Sequence, residues 1–214
     1  MINMSSKDMR LRTGTTTVGV VCKDGVVLAA DRKVTAGHLV AHKISKKILP
    51  IDTHALITIA GLVADAQALV DVLRANASLY RIRNKRPIPI NAIASLASNI
   101  LFGSRFLPYI VEVNVGGYDM RGPSLYSIDF FGSVTNERNY VARGSGSPVA
   151  LGVLEKEYKE GITLNEGVRI ATLAVHSASR WDLYTGGSGI DVVVVDANGY
   201  RFLDDQEIIK ILSS

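Results

Sequence analysis

A chain of 214 residues, 47% of them hydrophobic, can bury a substantial core as one large domain or two small ones, which excludes global disorder. Its net charge of +4 is mild and its basic residues are dispersed apart from Arg81-Ile82-Arg83-Asn84-Lys85-Arg86, a cluster that a solvated helix end explains without nucleic acid. No apolar run approaches the roughly 20 residues that span a bilayer, and the single cysteine, Cys22, has no internal disulfide partner, so the expectation is a soluble cytoplasmic protein with neither nucleic acid nor membrane among its partners.

Met1–Gly14 carries Ser5, Ser6, Lys7, Asp8, Arg10 and Arg12 without sustained periodicity or the hydrophobic run of a secretory signal, and reads as a removable pro-segment. The stretch Gly14-Thr15-Thr16-Thr17-Val18-Gly19 then opens the apolar patterning. Two readings are open to it. Three threonines can simply begin a β-strand, which β-branched residues favour. Alternatively, if the Gly14–Thr15 bond is cut, the freed α-amine of Thr15 lies within reach of its own Oγ1, and one residue supplies both nucleophile and base. An α-amine titrates at about 7.7–8.0, against roughly 10.4 for a lysine, close to the operating pH that suits a general base.

Thr16–Cys22 and Val26–Asp31 are β-rich runs flanking Lys23-Asp24-Gly25, a hairpin signal. With the turn centred near Asp24, facing residues sum to about 48, which sets Thr17 opposite Asp31 and puts Thr15, Thr17 and Asp31 on one face. Lys43–Leu49 and Ala55–Ile59 read as strands joined by Asp52-Thr53-His54, with Gly61 closing the second. One of Lys46 and Lys47 then points inward. Lys47 paired with Asp31 would hold a positive charge beside the Thr15 hydroxyl and favour its deprotonated form, while a surface lysine is the competing reading.

Leu62–Arg83 has an apolar stripe at helical spacing (Ala66, Leu69, Val70, Leu73, Ala77, Tyr80), and Pro89 suits the first turn of a second helix, Ile90–Leu101, with Gly103 past its end. Strands resume at Tyr109–Val115, Ser124–Asp129 and Asn139–Arg143, with Gly116, Gly117, Gly122 and Pro123 at the breaks. Helices follow at Pro148–Lys159 and Leu164–Arg180, the latter opened by Thr163-Leu164-Asn165-Glu166 at capping-box spacing. Ile190–Asp196 and Tyr200–Leu203 flank Asn198-Gly199, and Asp204-Asp205-Gln206-Glu207 caps a short last helix. The order is strands, two helices, strands, two helices, strands. It predicts one α+β domain over residues 15–214, a four-layer α/β/β/α sandwich of two antiparallel sheets flanked by helix pairs.

Gly144-Ser145-Gly146-Ser147-Pro148 lacks the Gly-Lys-Ser/Thr ending of a phosphate loop and the third glycine of a dinucleotide fingerprint, so it reads as a turn that places Ser145 for hydrogen bonding. Asp182 and Thr185-Gly186-Gly187 lie in a glycine-rich loop after a helix. His38, His42, His54 and His176 show no metal-ligand spacing, and neither metal nor organic cofactor is implied.

Taken together, Thr15-Thr16-Thr17-Val18-Gly19, His42-Lys43 with Lys46-Lys47, Ile59-Ala60-Gly61-Leu62 with Asp65-Ala66-Gln67, Gly144-Ser145-Gly146-Ser147-Pro148 and Ile190-Asp191-Val192 resemble the β-subunits of the archaeal-type 20S proteasome, N-terminal-nucleophile threonine peptidases. The likeness covers nearly everything from Thr15 to about Leu212. It implies the Ntn-hydrolase fold, Thr15 as the mature N-terminus and nucleophile, and Asp31 and Lys47 as its charge partners. Gly61 would give an oxyanion donor, and Ser145, Asp182 and Thr185 would position the amine. Val34, Ser45, Leu49, Ile59 and Val63 would surround the substrate pocket. Asp31 stands where a glutamate is often found and Thr185 where serine is usual, which leaves the fine positioning open.

The resemblance also implies α-subunits and further β-subunits stacked as a four-ring, twenty-eight-subunit core, a regulatory ATPase acting through the α-rings, and unfolded proteins as substrates. The leader would then be a safety device, since an intact Gly14–Thr15 bond leaves Thr15 without an amine. No expected pocket residue carries a negative charge, so a chymotrypsin-like preference is anticipated. Two other readings stand beside this one: a non-catalytic ring subunit of the same architecture, and a nucleotide-binding module around residues 144–148, which lacks a phosphate-binding lysine.

Overall fold

The computed structural model describes residues 14–36 and 39–213, so the leader up to residue 13, and His38, lie outside it. Two five-stranded antiparallel sheets face one another. The strands are β1 (Thr17–Cys22), β2 (Gly25–Asp31), β3 (Val34–Ala36), β4 (Leu39–His42), β5 (Ile48–Asp52), β6 (Ala55–Gly61), β7 (Val111–Asp119), β8 (Gly122–Ile128), β9 (Val134–Glu137), β10 (Tyr140–Arg143), β11 (Ile190–Asp196) and β12 (Gly199–Phe202). The helices are α1 (Val63–Asn84), α2 (Ile90–Gly103), α3 (Ser147–Glu157), α4 (Leu164–Trp181) and α5 (Asp205–Ser213). One sheet runs β10-β1-β2-β11-β12 and the other β5-β6-β7-β8-β9, with β3 and β4 forming a separate small ribbon.

The period-2 alternation of the strands divides the core into three apolar layers. Val18, Val20, Val27 and Ala29 pack against Ala150, Leu154, Ala171 and Val175 of α3 and α4. Ile57, Val113 and Val115 pack against Leu69, Leu73, Ile93 and Ala97 of α1 and α2. Between the sheets lie Val26, Leu28, Ile48, Leu56, Leu125 and Val193. This is the predicted four-layer sandwich. The stripe of α1 buries Ala66, Leu69, Val70, Leu73 and Ala77 as its spacing requires, and α4 opens on the full Thr163–Glu166 capping box. No helix among the described residues is long and apolar enough to cross a membrane. Cys22 belongs to the layer under α4, where burial first, then Asp24 and Glu166, push its thiol up to about 12, so it stays a protonated core side chain.

The structure departs from the sequence reading in five places. The first hairpin turns on Lys23-Asp24, with Gly25 already paired to Cys22, so Thr17 faces Ala30 and not Asp31. Asp31 therefore lies across from Thr16, whose carbonyl accepts the Asp31 N–H, and belongs to the opposite pleat from Thr15 and Thr17. The last hairpin behaves alike, turning on Ala197-Asn198 with Gly199 paired to Asp196. Residues 43–47, expected as part of a strand, are irregular chain between β4 and β5. Gly116 and Gly117, expected at a break, lie inside β7, as Gly122 and Pro123 lie in β8. Gly116 is there because a Cβ would sit 3.0 Å from Val26 and 3.1 Å from Leu28 of the facing sheet. The short strands β3, β4 and β9 carry no clear alternation and were not expected.

Candidate active site

The site forms where β1 begins, at the end of the sandwich that also holds the end of β2, the approach to β5 and the loop after α4. Thr15 is 4% exposed, and its Oγ1 donates to the carbonyl oxygen of Gly14 at 2.6 Å. The same carbonyl oxygen is 3.4 Å from Lys47 Nζ, so an ammonium and a hydroxyl converge on one peptide bond. Lys46 is exposed while Lys47 is 4% exposed. What orients Lys47 is not strand alternation but its position just before β5, where its carbonyl accepts from Ile59 N–H of β6 at 2.9 Å.

Lys47 Nζ donates to Asp31 Oδ1 at 2.7 Å, and Asp31 is fully buried. The carboxylate is further held by three main-chain donors: Thr16 N–H at 2.9 Å on Oδ1, and Lys33 N–H at 3.1 Å and Gly186 N–H at 2.9 Å on Oδ2. Burial draws the Lys47 pKa below its ordinary value, and the charge and hydrogen bond of Asp31 oppose that pull.

On the other side of Thr15, its backbone N–H donates to Ser145 Oγ at 3.3 Å. Ser145 in turn donates to Asp182 Oδ2 at 2.6 Å, and Thr185 donates to the same oxygen at 2.5 Å. Thr185 Oγ1 lies 2.7 Å from Thr16 Oγ1, so this threonine reaches the neighbour of the nucleophile candidate and not its nitrogen. Glycine at 144 allows the close approach, since a Cβ there would lie 2.1 Å from the Thr15 carbonyl oxygen. The 144–148 turn thus packs on the Thr15 backbone, which accounts for its glycine without a phosphate.

A cavity of about 230 Å³ opens beside Thr15, lined by Gly14, Val34, Thr35, Ser45, Lys47, Ile59, Gly61, Leu62 and Val63 as well. Four of the five expected pocket residues are there. Leu49 is not, because its place in β5 turns it toward the layer under α1. Gly61 ends β6, paired with Val111. The sequence reading missed Thr35, whose Oγ1 accepts the Gly14 N–H at 3.2 Å, and the buried Thr16, whose hydroxyl ties β1 to the 182–187 loop. Thr16 could have been found, since alternation puts it on the other pleat from Thr15; the three-residue strand holding Thr35 gives no such signal. Among the described residues no group of His, Cys, Asp or Glu could hold a metal ion.

The family described as "Proteasome subunit" matches residues 11–195. The chain is similar to the proteasome subunit beta of Methanococcus aeolicus, at 45% identity over 92% of this chain and 91% of the relative. It is similar to proteasome subunit beta 2 of Aeropyrum pernix, at 50% identity over 89% and 86%. The proteasome subunit beta of Methanothermobacter thermautotrophicus is 47% identical over 95% and 96%.

Proposed function

Since the chain belongs to the proteasome family, as a β subunit of the 20S core, we propose that it is a catalytic subunit, a threonine endopeptidase that activates itself by cutting Gly14–Thr15. The observation that carries this is the convergence on the Gly14 carbonyl oxygen of Thr15 Oγ1 at 2.6 Å and Lys47 Nζ at 3.4 Å. In the self-cleavage, Thr15 Oγ1 adds to the Gly14 carbonyl carbon and the oxygen takes up negative charge beside the Lys47 ammonium. Collapse breaks the C–N bond, leaving an ester on Oγ1 and, with the hydroxyl proton transferred, a free amine on Thr15. Water hydrolyses the ester and releases residues 1–14.

In peptide hydrolysis the amine takes the Oγ1 proton, Oγ1 attacks the scissile carbonyl, the C–N bond breaks as the amine returns the proton to the leaving nitrogen, and water then hydrolyses the ester left on Oγ1. Ser145, itself anchored by Asp182, supports the amine through the contact it now makes with Thr15 N–H. Asp31 holds Lys47, Thr185 braces Thr16 and Asp182, and the Gly61 N–H serves the substrate oxyanion. Intact mass of the purified core tests the reading, with loss of the first 14 residues expected and a chain still beginning at Met1 excluding it.

Gly14 carries a prediction of its own. A Cβ at this position would lie 1.9 Å from Tyr184 Cβ and 2.6 Å from the Tyr184 carbonyl oxygen, so no side chain fits while the leader is attached. Gly14→Ala is expected to displace the scissile carbonyl and slow leader removal about tenfold or more, as misplacement by a fraction of an ångström does. Because residue 14 is gone from the mature enzyme, peptidase activity per processed site should equal that of wild type. A time course of intact mass beside peptidase assays reads both quantities, and normal processing would show that the contact with Tyr184 is irrelevant.

The cavity also supports a preference. Among the described residues its only ionised side chain is Lys47, already engaged by Asp31, so a basic substrate side chain would find no partner there, while a leucine or phenylalanine gains roughly 1.5–3 kcal/mol by burial. We expect fluorogenic peptides ending in Tyr or Leu to give higher kcat/KM than those ending in Arg or Glu. The reverse order would mean that a charged group from a neighbouring subunit completes the pocket. Assembly with α-subunits, other β-subunits and a regulatory ATPase, and degradation of unfolded proteins in the cytoplasm, complete the proposal.

A further inference from the structure

Most of the space between the two sheets is filled by apolar side chains, but at the Thr15 end it holds a row of polar ones. Asn114 of β7 is fully buried there. Its Nδ2 donates to Thr58 Oγ1 of β6 at 3.1 Å and, across the gap, to Thr17 Oγ1 of β1 at 3.4 Å. Ser127 of β8 is its register partner on the other side and accepts from Arg143 Nε at 3.1 Å. The Asn114 Oδ1 is buried without a hydrogen-bond partner among the described residues.

A buried amide with one end unsatisfied costs stability that an apolar residue of the same size would not. Apolar contacts between sheets are non-directional and leave sheet position loosely fixed, whereas a hydrogen bond fixes it. The two threonines it joins are not arbitrary. Thr17 lies two residues after Thr15 on the same pleat of β1. Thr58 pairs with Ile48, the residue after Lys47, and its neighbour Ile59 donates to the Lys47 carbonyl. Thr15 and Lys47 arrive on different sheets, and Asn114 bridges the two strands that set their positions.

We propose that Asn114 is a positioning residue for the peptidase: its amide locks the two sheets in the register that holds the Lys47 ammonium over the bond Thr15 attacks. This rests on Thr15 being the nucleophile. Asn114→Leu keeps the volume and removes the amide. It should assemble and melt at or above the wild-type temperature, yet remove its leader about tenfold more slowly and lose about tenfold in kcat per processed site, with KM unchanged within about twofold. Thr17→Val and Thr58→Val, each removing one end of the bridge, should lower kcat in the same sense, and each combined with Asn114→Leu should cost no more than Asn114→Leu alone. Those two variants also carry the test if Asn114→Leu fails to fold. A merely structural role would lower the melting temperature and leave kcat per processed site intact, which overturns the proposal. Wild type and Thr15→Ala run alongside separate the two ideas. An active wild type with equally active bridge variants refutes the positioning role alone, whereas a wild type that is unprocessed and inactive refutes the nucleophile and the positioning role with it.

Discussion

Thr15→Ala is expected to assemble with its leader still attached and to hydrolyse no peptide at a measurable rate, because deleting a nucleophile that works as one unit with its base costs on the order of 10⁶-fold. The fold should tolerate it. The substitution removes a hydrogen bond to Gly14 worth about 1 kcal/mol from a residue whose contacts with Ser145 run through its backbone N–H and carbonyl. Thr15→Ser keeps an oxygen at the same position and should be processed. Intact mass and peptidase assays on the three proteins decide the matter, and Thr15→Ala cores as active as wild type would leave this chain a scaffold beside some other active subunit.

The second large effect belongs to Lys47. Lys47→Ala should cost roughly 10²-fold or more in the rate of both leader removal and peptide hydrolysis, as loss of a preorganised charge at a developing oxyanion does. The protein should nevertheless fold. Breaking a buried ion pair can cost about 3–5 kcal/mol, but that figure describes a charge left without partners. Asp31 keeps three main-chain N–H donors when the lysine is gone. Lys46→Ala provides the contrast, since Lys46 is exposed and should be nearly silent. Parallel rates for the two alanine variants, measured by single-turnover processing and by kcat/KM, would show that the ammonium near Gly14 does nothing for the chemistry.

Much of the fold was legible because its signals are local. The stripe of α1, the capping box of α4 and the Asp-Gly and Asn-Gly hairpins each depend on a few consecutive residues. What was not legible depended on distance. The sequence leaves the first hairpin one residue out of register because a two-residue turn and a turn centred on Asp24 differ only in how Gly25 pairs. That slip put Asp31 on the pleat of Thr15, whereas its carboxylate meets Lys47 from the pleat of Thr16. Gly116 reads as a break because its reason for being glycine is the facing sheet. Leu49 falls in the pocket by resemblance alone, and only the true start of β5 shows that it turns away. Ser145, Asp182 and Thr185 could be named from resemblance, but their shared oxygen is a fact of tertiary structure.

The hydrogen bonds around Thr15 join residues very far apart along the chain. Thr15 meets Ser145 across 130 positions, Asp31 meets Gly186 across 155, and Thr16 meets Thr185 across 169. Contacts of such separation close late. A ribosome adds about 5–20 residues per second, N-terminus first. Thr15 therefore leaves the exit tunnel many seconds before Gly186 exists, and until then the Asp31 carboxylate lacks the Gly186 N–H and Ser145 lacks the Asp182 carboxylate that anchors it. The threonine lacks its full set of supports on a nascent or truncated chain, so under the proposed self-cleavage the Gly14–Thr15 bond is expected to stay intact until translation is nearly complete.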